Sequence, residues 1–389
     1  MATNRTPYSD TALQRRVIND MVSMVAWTQA PVVKLLGLDG EKKFRFQNWP
    51  PSVNSKIEII EDTMAPLTTT LAAAITSTSA LSAQLTNPTY VHSGHMLKID
   101  SELVIVDTSN ENGTVIFAQR GAGGTTAATH SNSAAVTIEG ISKKPGDTPA
   151  VGYTTTTTQP YNWQQIMEEA VEAQDETMGV TDYGVGDDPL AYQLAKLIGG
   201  RTEIGGKGQA GQLLKLLGQM AYQSYIQQPS ESNPRGIAGG LPYFITTNLT
   251  GDTSTELTRP TIHTQLRTIF NLGGMVDTIL TSAWGAEKFL QMYEGKVYTE
   301  ISEERGGSVI TWIRTPVVER VNIEIDWQCP STKTYLLDSS KVGYVTIDPF
   351  KTTNFAKTDY NEKVGVKGIY SFMVANETSH AIITHSSTL

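Results

Sequence analysis

The segment GGRTEIGGKGQAG (199–211) limits the fold most, because it separates two amphipathic helical patterns. The first pattern starts at Pro189, which suits the first helical position, and carries a stripe of leucines and isoleucine. The second covers residues 209–228 and ends before a proline. If the glycines only bend the helix, residues 189–228 span roughly 60 Å. Six glycines in this segment instead favour two helices joined by a loop.

The same segment contains the pattern G-x-G-x-x-G at Gly206, Gly208 and Gly211. A dinucleotide site needs a strand before the glycines and an acidic residue about 20 positions after them. Here a predicted helix precedes the glycines, and the region near position 230 is predicted to be loop. The segment also does not match the phosphate-binding pattern G-x-x-x-x-G-K-[ST]. Arg201 occupies the position of the first glycine, and Gly208 occupies the position of the Ser or Thr. We therefore interpret the glycines as serving helix bending or close packing.

No other residues form a catalytic, cofactor-binding or metal-binding pattern. Cys329 is the single cysteine, which excludes an internal disulfide and a cysteine-rich zinc site. His92 and His95 form H-x-x-H in a Gly/Ser loop without a nearby carboxylate, so we expect a solvated pair. A group of acidic residues has helical spacing and is predicted to be a solvated helix face. Its members are Glu168, Glu169, Glu172, Asp175 and Glu176.

The region 44–161 is rich in Thr, Val and Ile, which predicts β-structure, and its one helical signal lies at Ala72–Leu85. The strands LVIVD and TVIFAQR flank Asn112-Gly113, a dipeptide typical of hairpin turns because both residues tolerate positive φ. AAVTIEG supplies another strand, and the run TTTTT fits an exposed ribbon. Together these signals predict a β insertion that folds as a separate unit.

Charged residues make up 18% of the 389 residues, below the ~25% usual for soluble domains. That low charge suits a protein whose surface is covered by partners. The net charge of −9 argues against wrapping nucleic acid, because phosphate contacts need an excess of Lys and Arg. The N-terminus lacks the apolar core of a signal peptide, and no apolar run is long enough to span a membrane. An amphipathic helix at 10–26 is expected to pack on a neighbouring chain.

Four motifs follow one another along the chain. They are RGAGGTTAATH (120–130), NPRGIAGGLPYFITTN (233–248), the helix, Gly-Gly turn, strand and helix pattern at 267–295, and the C-terminal stretch 334–384. The last contains Leu336, Leu337 and Asp338, then Ala356, Lys357, Thr358 and Asp359, then Tyr370, Val374, Asn376 and His380. In this order the motifs resemble those of tailed-bacteriophage major capsid proteins, over roughly residues 40–385.

The resemblance implies an α+β protein with the Hong Kong phage-type capsid fold. The implied parts are an N-terminal arm (1–42), an extended β loop (43–165) with a β-rich insertion at about 84–142, a peripheral domain with a long spine helix (166–239), an axial domain (240–345) and a return to the peripheral domain (346–389). The strand pair near 310–325 and the closing strand at 366–376 are expected to share the peripheral sheet.

The function implied by the resemblance is mechanical, with no catalytic, cofactor or metal residue. Copies would form pentamers and hexamers of an icosahedral shell around packaged double-stranded DNA, which is enclosed without sequence-specific binding. Portal, scaffolding and decoration proteins are the implied partners, no membrane is involved, and the virion capsid would assemble in the host bacterial cytoplasm.

Two alternatives remain open from the residues. The Thr-rich first half would suit a β-rich phage tail or surface adhesin module, although the helical patterns at 189–228 argue against it. The glycine cluster alone motivates a cytoplasmic nucleotide-dependent enzyme.

Overall fold

The computed structural model describes residues 31–36, 55–62, 66–88, 90–110, 112–146, 157–174, 189–202, 208–293, 298–300, 309–315, 317–318, 320–356 and 361–387. They divide into two compact units. The smaller is Ile60–Gln159, and the larger combines Met1–Ile59 with Pro160–Leu389. The predicted N-terminal helix at 10–26 and most of the threonine run lie outside the described residues.

Helices and strands alternate irregularly along the described chain. The helices are α1 (Pro31–Leu35), α2 (Pro189–Ile198), α3 (Gln212–Met220), α4 (Leu241–Phe244), α5 (Arg259–Asn271) and α6 (Ala283–Met292), with short 3₁₀ turns at Ala122–Gly124 and Glu377–Ser379. The strands are β1 (Lys56–Glu58), β2 (Glu61–Asp62), β3 (Thr68–Thr70), β4 (Ser82–Gln84), β5 (His95–Ile99), β6 (Glu102–Ser109), β7 (Thr114–Gln119), β8 (Ala135–Ile141), β9 (Thr157–Thr158), β10 (Tyr161–Trp163), β11 (Gln165–Gln174), β12 (Gly199–Thr202), β13 (Gly208–Ala210), β14 (Leu249–Thr250), β15 (Thr278–Thr281), β16 (Tyr298–Glu300), β17 (Val309–Ile313), β18 (Val321–Ile325), β19 (Lys333–Leu337), β20 (Val342–Asn354), β21 (Asn361–Val374) and β22 (Ala381–Thr384).

The smaller unit contains a six-stranded sheet in the order β3-β8-β5-β6-β7-β4. Alternate residues of its strands, among them Val104 and Val106 of β6, point into a buried core. The predicted hairpin is confirmed as β6 and β7, which pair antiparallel. Gly113 supplies the positive φ of +91° in its turn, where a Cβ would lie 2.8 Å from the carbonyl oxygen of Leu85.

The two edges of this sheet meet at one end. Leu71 forms a bridge with Leu85, the amide of Ala72 donates to the carbonyl of Gln84 at 2.7 Å, and the amide of Thr86 donates to the carbonyl of Thr70 at 2.9 Å. These bonds protect both edge strands from pairing elsewhere. The helix predicted from Ala72 to Leu85 is therefore wrong. Serines and threonines occupy most of positions 76–82, and their side chains compete with helical backbone bonds.

The compact unit is longer than the insertion predicted at 84–142. Both β3 and β4 lie before or at the start of that range, yet they pair with β8 and β7. Leu71 and Ile75 belong to the same buried core as the later strands. The folded unit therefore includes residues that the sequence analysis had placed outside the predicted insertion.

A three-stranded antiparallel sheet in the larger unit has the order β11-β21-β20. Its strand β11 contains Glu168, Glu169 and Glu172, so the helical interpretation of this acidic group is wrong. Ten consecutive pairs join β11 to β21 without a register shift. Met167 and Ala173 are buried in that arrangement, which shows that long-range pairing overrides local helix propensity. Asp175 and Glu176 lie outside the described residues.

The second sheet of the larger unit has seven strands in the order β14-β22-β19-β15-β18-β17-β16. The predicted helix, Gly-Gly turn, strand and helix pattern is confirmed as α5, a turn at Gly273, the fully buried strand β15, and α6. Ser282 caps α6 by accepting from the amide of Gly285 at 3.3 Å.

The strand pair near 310–325 forms as β17 and β18, which are antiparallel. The expectation that it shares a sheet with the strand at 366–376 is wrong, because β18 pairs in parallel with β15 of the seven-stranded sheet. That closing strand is β21 of the three-stranded sheet. The last strand, β22, then returns the chain to the seven-stranded sheet beside β19 and β14.

The glycine-rich segment separates two helices rather than continuing one. α2 ends at Ile198, β12 and β13 pair as an antiparallel hairpin, and α3 starts after Gly211. α3 is shorter than the predicted pattern at 209–228, because it ends at Met220. Its buried face, which includes Leu213 and Leu217, packs into the largest core cluster. No helix in the described part of the chain is long and apolar enough to cross a membrane.

Candidate functional site

Three segments, drawn from two of the four sequence motifs, meet at one place in the larger unit, which we call the motif junction. It comprises Thr246, Thr247 and Asn248 from NPRGIAGGLPYFITTN, Asp338 at the end of β19, and Glu377 and His380 before β22. These residues are up to 134 positions apart in sequence. Sequence order alone could not bring them together, although the motifs did mark each of the three segments.

Glu377 joins the third of these segments to the first through one carboxylate oxygen. Its Oε1 accepts from the amide of Thr246 at 2.7 Å, the Thr246 hydroxyl at 2.7 Å and the amide of Thr247 at 2.6 Å. Burial alone would raise the pKa of Glu377, but these hydrogen bonds to the charged form outweigh burial and lower it. An ionised carboxylate therefore fixes the 246–247 turn.

Asn248 extends the same connection toward β22. Its Nδ2 donates to the carbonyls of Thr378 at 3.0 Å and His380 at 2.9 Å. Its backbone carbonyl accepts from the amide of Ile382 at 3.0 Å. The next residue, Leu249, starts the parallel pairing of β14 with β22. The side chain of Asn248 thus sets the register of the sheet edge.

His380 is fully buried and joins the C-terminal segment to β19. The amide of Asp338 donates to its Nδ1 at 3.2 Å, and its Nε2 donates to the carbonyl of Ala375 at 3.2 Å. This pattern needs the neutral imidazole with the proton on Nε2. Burial disfavours the charged form and lowers the pKa of His380 to about 4. Asn376 nearby adopts φ 50°, which asparagine tolerates better than most residues.

We predict that the larger unit loses stability as the pH falls from about 6.5 to about 4. The folded pKa of His380 lies below its unfolded value of 6.5. The unfolded state therefore binds more protons in this window, and the loss amounts to on the order of 3 kcal/mol when complete. Above pH 6.5 this contribution is fully present. Denaturant titrations at a series of pH values, followed by tryptophan fluorescence, measure the slope.

All six tryptophans lie outside residues 60–159, so their fluorescence reports on the larger unit. The matched control is His380→Gln, which keeps an amide donor and acceptor but does not titrate. We expect a smaller slope rather than none, because burial also lowers the pKa of His385. An unchanged slope in His380→Gln would contradict the assignment.

A second polar cluster, the Glu102 cluster, lies in the smaller unit and explains the motif RGAGGTTAATH. The side chain of Glu102 is fully buried. Arg120, at the start of the motif, donates to both of its carboxylate oxygens at 2.7 Å, and His130, at the end, lies 2.9 Å from Oε2. The amides of Gly121 and Ala128 donate to the same carboxylate at 3.1 and 3.0 Å. The side chains and backbone amides of the motif therefore surround the carboxylate of Glu102.

The electrostatics of the Glu102 cluster favour an ionised carboxylate. Burial alone would raise the pKa of Glu102, but the hydrogen bonds from Arg120, Ala128, His130 and Gly121 lower it to about 2. Gly121 adopts φ +60°, and a Cβ there would lie 2.8 Å from the carbonyl oxygen of Thr125. The tight path of the loop thus requires glycine.

Sequence reasoning missed Glu102 and Glu377 as organising residues. Each is a single carboxylate whose partners are mostly backbone amides and side chains distant in sequence. The one sequence signal that could have indicated a buried carboxylate was the placement of Arg120 and His130 at the two ends of one motif.

The residues considered for chemistry lie in different units, with His92 and His95 in the smaller unit and Cys329, Gly208 and Gly211 in the larger one. Cys329 is buried, and burial raises the pKa of its thiol. His95 accepts from the amide of His92 through Nδ1 at 3.2 Å, and burial together with His92 lowers its pKa. Among the described residues, no group of three or more His, Cys, Asp or Glu could hold a metal ion. Gly208 and Gly211 lie in β13 and before α3, while Gly206 falls outside the described residues.

Comparisons with known proteins cover nearly the whole chain. A family model described as SU10 major capsid protein matches residues 3–199 and 208–387. A chain of the cyanophage A-1(L) capsid asymmetric unit is 11% identical, with a TM-score of 0.53 over 99% of this chain and 100% of that chain. A chain from the capsid of a native GTA particle is 6% identical, with a TM-score of 0.50 over 99% and 100%. These two likenesses show the fold. No curated protein matches the sequence.

Proposed function

Because this chain belongs to the SU10 major capsid protein family, we propose that its copies close into pentamers and hexamers of an icosahedral bacteriophage shell. Major capsid proteins form the shell itself, so the function of the chain is structural. The observation that carries this conclusion is the family match, which includes all three segments of the motif junction and the Glu102 cluster. Head-to-tail contacts between identical subunits generate closed rings when the rotation between them closes.

The three-stranded and seven-stranded sheets of the larger unit suit the two domains of such a subunit. We assign the three-stranded sheet with α2 and α3 to the peripheral domain (166–239 and 346–389). We assign the seven-stranded sheet to the axial domain (240–345), which β22 joins from the C-terminal segment. The smaller unit belongs to the extended loop (43–165). The motif junction supports this assignment, because it ties β14, β19 and β22 into one rigid sheet.

The shell would enclose double-stranded DNA without sequence-specific contacts. The net charge of −9 supports this proposal, since a strongly basic lining would hinder DNA that must slide during packaging. Portal, scaffolding and decoration proteins are the further partners we propose, with assembly in the host bacterial cytoplasm. We propose no enzymatic activity for the chain, because each polar cluster described above is a set of satisfied hydrogen bonds with a structural role.

Assembly is the test of this function. Expressed alone or with its scaffolding protein, the chain is expected to sediment as capsomers or shells far larger than 42.3 kDa. The physical reason is that obligate interfaces bury on the order of 2,000 Å² or more, which is enough for stable association. Analytical ultracentrifugation and negative-stain electron microscopy measure the outcome. A stable monomer across micromolar concentrations would contradict the proposal, as would fibres.

A further inference from the structure

The imidazole of His130 lies between two carboxylates in the smaller unit. Its Nδ1 is 2.8 Å from Oδ2 of Asp100, and its Nε2 is 2.9 Å from Oε2 of Glu102. The side chain of His130 is 1% exposed, so both contacts are shielded from bulk water. An ionised carboxylate only accepts hydrogen bonds, and a neutral imidazole carries a single N–H. Both contacts are therefore hydrogen bonds to ionised carboxylates only when His130 carries a proton on each ring nitrogen.

The two carboxylates differ in their freedom to move. Glu102 is fully buried and is held in place by Arg120 and two backbone amides. His130 is also fixed, because its backbone amide and carbonyl both bond to Ile75 at 2.9 Å. The side chain of Asp100 is 60% exposed and can turn into water. When His130 has one proton, that proton therefore stays on Nε2 beside Glu102, and the contact that breaks is the one between Nδ1 and Asp100.

The backbone of Asp100 makes this contact consequential. Asp100 and Ser101 form the two-residue turn between β5 and β6, and the strand residues on either side, Ile99 and Glu102, are paired. Asp100 adopts φ 51°, in the left-handed region that favours glycine. Backbone conformations of this kind persist where surrounding contacts hold them. The hydrogen bond from His130 is such a contact, so its loss removes a restraint from the turn.

The charges around His130 balance only when it is protonated. Arg120 donates from Nη2 to Oε2 of Glu102 at 2.7 Å, which is the same oxygen that His130 approaches. With a protonated His130, two cations face the two carboxylates of Asp100 and Glu102. Loss of the proton leaves one negative charge without a partner, and charges without partners are costly to keep out of water. Exposure of Asp100 to solvent removes that cost.

We propose that Asp100 and His130 form a proton-dependent latch on the β5–β6 turn, closed when both ring nitrogens of His130 carry a proton and open when Nδ1 loses its proton. The turn is then held at acidic pH and released as the pH rises through the range in which histidine discharges, about pH 5 to 8. The larger unit responds in the opposite direction, because protonation of His380 destabilises it. The latch lies within one subunit and does not depend on shell assembly.

Hydrogen exchange of the full chain at about pH 5 and about pH 8 tests the latch. At about pH 5 a typical histidine is protonated and a typical aspartate is already ionised. We expect peptides covering residues 96–106 of the wild type to be at least about threefold better protected at the lower pH, as befits one charge-assisted contact to a partly exposed group. Exchange times are scaled to remove the intrinsic pH dependence of amide exchange.

Two substitutions of Asp100 separate the latch from other effects of pH. In Asp100→Asn, the side-chain amide can offer its N–H to a neutral imidazole or its oxygen to a charged one. We expect this variant to protect the turn equally at both pH values, and better than the wild type at about pH 8. Asp100→Gly adopts the positive φ without strain but has no side chain. We expect its protection also to be equal at both pH values, but lower than that of Asp100→Asn.

Both variants keep every other titrating group of the wild type, so differences among the three chains report on Asp100. A wild type with the same protection ratio between the two pH values as Asp100→Gly would overturn the inference. Loss of protection in Asp100→Asn at about pH 8, to the same extent as in the wild type, would also overturn it.

Discussion

Replacing Glu102 with alanine is expected to destabilise the smaller unit by on the order of 3–5 kcal/mol, as found when one partner of a buried ion pair is removed. The substitution leaves the guanidinium of Arg120 buried, with a side chain 7% exposed, and without its carboxylate. It also removes the acceptor for the amides of Gly121 and Ala128. A loss of this size is comparable to the whole stability of a small domain.

Hydrogen exchange of the full chain measures this effect. Peptides covering residues 95–141 are expected to lose protection in Glu102→Ala, while peptides of the seven-stranded sheet keep theirs. Asp107→Ala is the matched control, because Asp107 is an exposed carboxylate on the same strand, and surface substitutions usually change stability by about 0.5 kcal/mol or less. Equal protection in the two variants would show that the Glu102 cluster does not hold the unit together.

Removing residues 60–159 with a short linker is expected to leave the larger unit soluble and folded. The ends of the excision are already adjacent, because the amide of Ile59 donates to the carbonyl of Pro160 at 3.0 Å. A two-residue Asn-Gly turn can therefore join them as a hairpin. The excision follows the boundary between the two compact units, so it exposes none of the smaller unit's core.

The shorter deletion of residues 84–142 serves as the comparison. It is expected to yield insoluble protein, because it keeps Leu71, Ile75 and Ala83 but removes the strands that bury them. Exposed apolar segments of this kind promote aggregation. The fraction of soluble protein and the tryptophan unfolding midpoint measure both variants. A soluble 84–142 deletion beside an insoluble 60–159 deletion would reverse the assignment of the unit's boundaries.

The sequence by itself determined the elements whose signals are local. The hairpin of β6 and β7 follows from alternating strands around a glycine that adopts positive φ. The succession of α5, the turn at Gly273, β15 and α6 follows from apolar periodicity and turn residues. The order of four motifs also identified the capsid family, because it combined several moderate signals along one chain.

Only the tertiary structure decided the elements that depend on distant partners. The segment QIMEEAVEAQ has helical residues and spacing, yet it is β11, because β21, almost 200 positions later, supplies ten consecutive strand pairs. Glu102 and Glu377 are ordinary carboxylates in the sequence, and their roles come from amides and side chains that folding brings to them. The physical reason is the same in each case. Backbone propensities differ by less than about 1 kcal/mol per residue, whereas burial and hydrogen bonding with distant segments contribute more.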